Sequence, residues 1–117
     1  MVNLPEKPNV ERWAEMPFIA QMANIGSEVG RTLKWKRKDN ASMARGAFVR
    51  ALDLFDLTIT VGRKNESFSS RDSMLKEVIR ARDQFCDEYL SDDRDALLSS
   101  DKYFSHFAKA FALRSSR

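Results

Sequence analysis

An all-α fold, an antiparallel four-helix bundle preceded by an extended N-terminal arm, is what the sequence predicts, and three observations carry that expectation. Apolar residues recur at three- and four-residue intervals in four separate segments, the period of one helical face. Turn formers are scarce, with four glycines and three prolines in 117 residues, while Ala, Leu, Arg, Lys, Glu and Phe are plentiful. No stretch alternates apolar and polar residues between hairpin turns, and no unit of about 20 to 50 residues repeats. A chain of this length is expected to be one domain, able to bury about two-thirds of its unfolded surface.

Residues 1–16 contain Pro5 and Pro8 and little apolar period, so they read as the extended arm, leaving 17–117 as the bundle domain. Pro17 suits the first turn of a helix, where its missing N–H costs nothing. From there Ile19, Met22, Gly26, Val29 and Leu33 line one face, and the helix is expected to run to about Lys38. Asp39 and Asn40 break the pattern and offer an N-cap, because a short oxygen-bearing side chain can accept from the free amides of the next helix. That helix carries Ala44, Ala47, Phe48, Ala51, Leu52, Phe55, Thr58 and Ile59, widened by Leu54 and Val61. So broad a stripe calls for neighbours on two sides.

Gly62 is expected to end this helix, with "RKNESFSS" as a polar loop. Ser69 or Ser70 then caps a third helix, whose stripe is Leu75, Val78, Ile79, Arg82, Phe85, Cys86 and Tyr89. "SDDRDALLSS" interrupts it. The last helix, capped by Ser99 or Ser100, carries Tyr103, Phe104, Phe107, Ala108 and Phe111, and "RSSR" is expected to be a loose tail.

"ANIGSEVGRTLKWKRKDN", Ala23 to Asn40, is the most informative stretch. Its glycines do not make a phosphate cradle, which needs a preceding strand and a following Lys-Ser or Lys-Thr pair. Glycine inside a helix costs about 0.8–1 kcal/mol relative to Ala, so Gly26 and Gly30 require a compensating contact. They share one side of the helix, where a ring such as Phe104 or Phe107 is expected to approach closely.

Arg31, Lys34, Lys36, Arg37 and Lys38 follow. Taking these five from the twenty Lys and Arg leaves 15 basic against 17 acidic residues, so the basic character is local. A local positive field is what a polyanion uses, although cations at a helix C-terminus also complement its dipole. Trp35 decides between the two readings. It projects away from the apolar stripe, among Arg31 and Lys38, and a large aromatic there calls for cover. The cover is an RNA or DNA base stacked on the indole while the cations take phosphates, a second copy of the chain or another protein, or the arm folding back through Trp13.

Arg82 lies within the apolar stripe of the third helix and must be paired or reach past its own stem. A buried ion pair with Glu28, Asp53 or Asp56 is expected, and an anion site is the functional alternative. The pairs Asp53/Asp56 and Asp83/Asp87 lack a third ligand, so neither a metal nor another cofactor is predicted. His106 is placed on a solvated face with Lys102 and Lys109. Cys86 is the single cysteine, which rules out an internal disulfide and fits a reducing, cytoplasmic location. No secretory signal and no apolar run of about 20 residues is present, so no membrane partner is expected.

The segment "ANIGSEVGRTLKWKRKDN" with the following "AFVRALDLFDLTI" resembles small prokaryotic helical proteins, over roughly residues 20–90. In architecture the chain is similar to HEPN-type domains, to the intervening-sequence proteins of bacterial ribosomal RNA genes, and to the accessory variability determinants of diversity-generating retroelements. The last resemblance implies a basic oligomer that binds nucleic acid and a reverse transcriptase. The catalytic HEPN pattern, an arginine four to six residues before a histidine, is not met. Lys102, Asp101, Ser100 and Ser99 precede His106, and the nearest earlier arginine is Arg94. The expectation is therefore a non-enzymatic bundle that binds nucleic acid through Arg31, Lys34, Trp35, Lys36, Arg37 and Lys38. A protein-interaction, self-assembling or antitoxin-like module is the alternative, ahead of a HEPN-like ribonuclease.

Overall fold

The computed structural model describes residues 9–64 and 69–115, and all regular structure within them is helical. Among the described residues five helices follow one another: α1 (Val10–Ala14), α2 (Phe18–Arg37), α3 (Ala41–Lys64), α4 (Ser69–Leu90) and α5 (Leu98–Ser115). α2 packs along both α3 and α5, α3 also carries α4 and α1, and α4 closes more lightly on α5. The predicted stripes supply the core. Phe55 of α3 sits at its middle, with ring centres of Phe85 and Phe104 at 5.9 and 5.6 Å. Phe48 stacks on Tyr89 at 3.9 Å and ties α3 to the far end of α4.

The arm requires a correction over the residues described. Val10–Ala14 form a short helix rather than part of an extended arm, and residues 1–8 lie outside the described residues. Asn9 caps it, its Oδ1 accepting from the Glu11 amide at 2.8 Å. The physical reason is Trp13, which is buried and whose Nε1 donates to the Thr58 hydroxyl at 2.9 Å. One helical turn lays the indole against α3, and burial of so large a ring with its hydrogen bond offsets part of the cost of ordering these residues. Gln21 completes the corner by donating to the carbonyls of Trp13 and Met16, both at 3.1 Å.

Pro17 stands just before α2, and its carbonyl accepts from the Ala20 and Gln21 amides. At the other end Asp39 adopts a left-handed conformation with φ 56°. The Asn40 amide then reaches the Trp35 carbonyl and the Asp39 amide that of Lys36, which is the Schellman arrangement. Asn40 next caps α3 by accepting from the Met43 amide at 3.1 Å. The corner between α2 and α3 is thus specified by two adjacent residues.

Four boundaries differ from expectation. α3 passes through Gly62 to Lys64, because Gly62 faces Leu75 of α4, where a Cβ would stand 3.2 Å from its Cγ. α4 begins at Ser69, and the cap expected from Ser69 or Ser70 lies outside the described side chains. Ser99 and Ser100 lie within the first turn of α5 and do not cap it. Glu88 of α4 does so, accepting from the Ser99 hydroxyl at 3.0 Å and the Ser100 amide at 3.2 Å. α5 continues through Arg114 to Ser115, so the expected loose tail is helical there. Phe107 meets Phe18 in the first turn of α2, and beyond it α5 runs on with Ala108 and Phe111 exposed.

The glycines of α2 do what their cost requires. A Cβ on Gly26 would stand 2.9 Å from the Cβ of Phe104, inside any normal contact, and one on Gly30 would stand 3.3 Å from a carboxylate oxygen of Asp101. Both glycines therefore face α5, the first against its buried ring.

Candidate functional site

The basic residues at the end of α2 divide into two groups once the chain is folded. Arg31 pairs with Glu28 at 2.6 Å, and the second oxygen of that carboxylate takes Arg50 of α3 at 3.1 Å. One acid thus serves two guanidinium groups. Arg37 pairs with Asp95 at 2.9 Å in the turn between α4 and α5, and Asp39 pairs with Arg94 of the same turn at 2.6 Å. Lys36 is structural: its ammonium donates to the carbonyls of Tyr89 and Ser91 and lies 5.1 Å from the Tyr89 ring centre. It satisfies orphan acceptors at the C-terminus of α4, where a cation is favoured.

Lys34 and Lys38 are the exposed remainder. Their ammonium groups stand 5.1 and 5.3 Å from the centre of the Trp35 ring, which is half-buried. Each contact is worth about 0.5–1 kcal/mol at an exposed site. The spacing explains Lys38, which lies three residues beyond Trp35 on the same side of the helix, while Lys34 reaches the ring from the adjoining position. Trp13 does not cover this ring, because it is engaged with Thr58. Among the described ion pairs, Lys34, Lys38 and one of the two arginines at Glu28 retain charge not offset by a carboxylate.

The six candidates therefore do not act as one patch. Lys34, Trp35 and Lys38 form a compact triad, Arg31 adjoins it through Glu28, and Lys36 and Arg37 turn toward the α4–α5 turn. Sequence reasoning missed Glu28 as a shared anchor and Arg50 as a member of this surface. The spacing of Glu28 and Arg31 was a visible signal, whereas Arg50 lies on another helix. Seven residues along α2 from the Glu28–Arg50 bridge is Trp35. Seven residues back along α3 is Met43, which is exposed.

Arg82 pairs with Asp56 at 3.1 Å, and the pair lies at the edge of the core rather than within it, with side chains 30% and 59% exposed. Asp56 is one of the three expected partners, and only the burial expected of the pair is corrected. The long apolar stem lets the guanidinium reach solvent from an otherwise inward position. Asp53 is exposed and Glu28 is engaged elsewhere. Cys86, on the same face, has its thiol pKa pushed up by burial, against the lowering influence of Arg82.

His106 is exposed on α5. Among the described residues no three His, Cys, Asp or Glu side chains gather as a metal site would require, and no helix is long and apolar enough to cross a membrane. No protein-family model, no curated protein and no solved structure matches the chain.

Proposed function

We propose that the chain is a non-catalytic helical protein that binds a single strand of RNA or DNA across the outer face of α2. The observation that carries this is the half-buried Trp35 ring with the ammonium groups of Lys34 and Lys38 at 5.1 and 5.3 Å. A base stacks on an indole whatever its sequence, and flanking cations neutralise the phosphates on either side. Arg31 and Arg50, sharing Glu28, supply a third positive charge for the strand. We read α2–α5 as an antiparallel four-helix bundle that presents this face, with α1 as a lid on one end, in a cytoplasmic protein.

Three phosphate contacts give a log–log slope of affinity against salt of about −2 for a single strand. Replacing Lys34 and Lys38 by Gln should bring the slope toward zero. Trp35→Ala should weaken binding by about 1–3 kcal/mol with little change in slope, because stacking releases no counterions. Binding that is unaffected by all three substitutions would sink the proposal.

A second reading is favoured by a different observation. Met43 and Val49 on α3 and Phe111 on α5 are exposed apolar side chains, as a protein-interaction or self-assembling module would have. Light scattering separates the two: conversion of an oligomer to a monomer by Trp35→Ala assigns the ring to a protein interface. An RNA-cleaving enzyme using His106 would lose turnover in His106→Ala, and we expect no such turnover.

A further inference from the structure

We infer that the acidic turn between α4 and α5 masks part of the basic end of α2 and limits how much of it a nucleic-acid strand can reach. This rests on the strand-binding reading above. After Ser91 the turn carries Asp92, Asp93, Arg94 and Asp95, all exposed. Asp95 occupies the guanidinium of Arg37 at 2.9 Å, while Arg94 crosses to Asp39 at 2.6 Å. The chain thus places a carboxylate of its own where a phosphate would otherwise meet Arg37, and two further acids beside it.

The backbone of this turn is held firmly. Leu97 is fully buried, and Lys36 holds the carbonyls of Tyr89 and Ser91. Ser91 Oγ accepts from the Asp93 amide at 3.1 Å, and Asp93 Oδ1 accepts from the Asp95 amide at 2.9 Å. The ion pair itself is the weak part. Its side chains are 46% and 58% exposed, and a pair so solvated biases the guanidinium by about fivefold at most. A strand already held at Lys34 and Lys38 can displace Asp95 by a side-chain rotation, with no movement of the turn. The mask is therefore graded: it lowers affinity and reduces the number of phosphate contacts by one without closing the site.

A purely structural latch would look the same in the fold but behave differently in binding. The test uses a fluorescein-labelled oligothymidine titrated with the full chain over a series of NaCl concentrations. Asp95→Asn keeps the shape of the side chain and removes its charge. It should bind about two- to fivefold tighter, with a slope steeper by about 0.7, the contribution of one added single-strand contact. Asp83→Asn, on α4 away from α2, changes net charge equally and should leave the slope unchanged. Arg37→Gln should weaken binding more in the Asp95→Asn background than in the parent, because only there is Arg37 released. Thermal unfolding checks that each variant is folded.

Asp95→Asn indistinguishable from Asp83→Asn, or additive effects of Arg37→Gln and Asp95→Asn, would overturn the mask and leave strand binding standing. Failure of every protein to bind would overturn both.

Discussion

The seam that α5 forms with α2 is mainly apolar and depends on missing atoms, whereas the seam it forms with α4 is polar and depends on matched ones. Toward α2, Phe104 lies over Gly26 and Phe107 meets Phe18 edge-on, with ring centres 6.2 Å apart. Toward α4, Glu88 accepts from Ser99 and Ser100, Gln84 donates to the Ser99 hydroxyl at 3.2 Å, and the Tyr103 hydroxyl donates to Glu77 at 2.5 Å. The first seam has no room to adjust, because its nearest approach involves a Cβ and not the tip of a flexible chain. The second can exchange partners with water, which is consistent with the lighter contact of α4 on α5.

The largest effect should come from filling the apolar seam. Gly26→Leu is expected to cost about 3 kcal/mol or more, since helix axes must separate to admit the side chain. Leucine is the better helix former, so an unchanged melting temperature would mean that the close approach to Phe104 has no energetic weight. Removing the central acceptor of the polar seam should cost less. Glu88→Ala is expected to lose about 1–2 kcal/mol in denaturant unfolding, through the unpaired Ser100 amide and the lost anion at the start of α5. Glu88→Gln should recover part of that, and a silent Glu88→Ala would show that water caps α5 equally well.

Gly30→Ala sharpens the contrast because it sits on the same helix face but meets only a carboxylate oxygen of Asp101. That side chain can rotate away, so the substitution should be neutral or stabilising by up to about 1 kcal/mol. A loss comparable to that of Gly26→Leu would extend the rigid seam along the whole helix.

The smallest effect at neutral pH concerns Tyr103, whose pKa is raised above its ordinary value of 10 by burial and then by the bond to Glu77. The fold favours the neutral phenol, so this contribution is complete below pH 10. It is lost as the pH rises further, where the unfolded tyrosine ionises first. Tyr103→Phe should flatten the alkaline decline in stability measured by denaturant titration. An unchanged decline would place its cause elsewhere in the molecule.

Features governed by residues near one another in sequence were legible before the structure. The four long helices follow from apolar period, and Asn40 as a cap follows from its side-chain chemistry. Gly26 against Phe104 and Asp56 as a partner for Arg82 were each among a few options that helical geometry allows. What escaped notice depends on distant partners. Trp13 meets Thr58 across 45 residues, and α1 is too short to leave a periodic signal. Ser99 and Ser100 resemble helix caps in sequence, yet a carboxylate arrives from α4 to cap them instead. The charge of the octet was read from its own composition, while Asp95, which offsets Arg37, lies 58 residues away.

The unlike settings of the two tryptophans have a spectroscopic consequence. Trp13 is enclosed and hydrogen-bonded to Thr58, so its indole should emit at shorter wavelength and resist collisional quenchers. Trp35, partly open to water and flanked by ammonium groups, should emit further to the red and respond to iodide more strongly than a neutral surface would allow. Single Trp→Phe replacements separate the two signals. Unfolding can then be followed through one ring and occupation of the outer face of α2 through the other, in the same cuvette and without an added label.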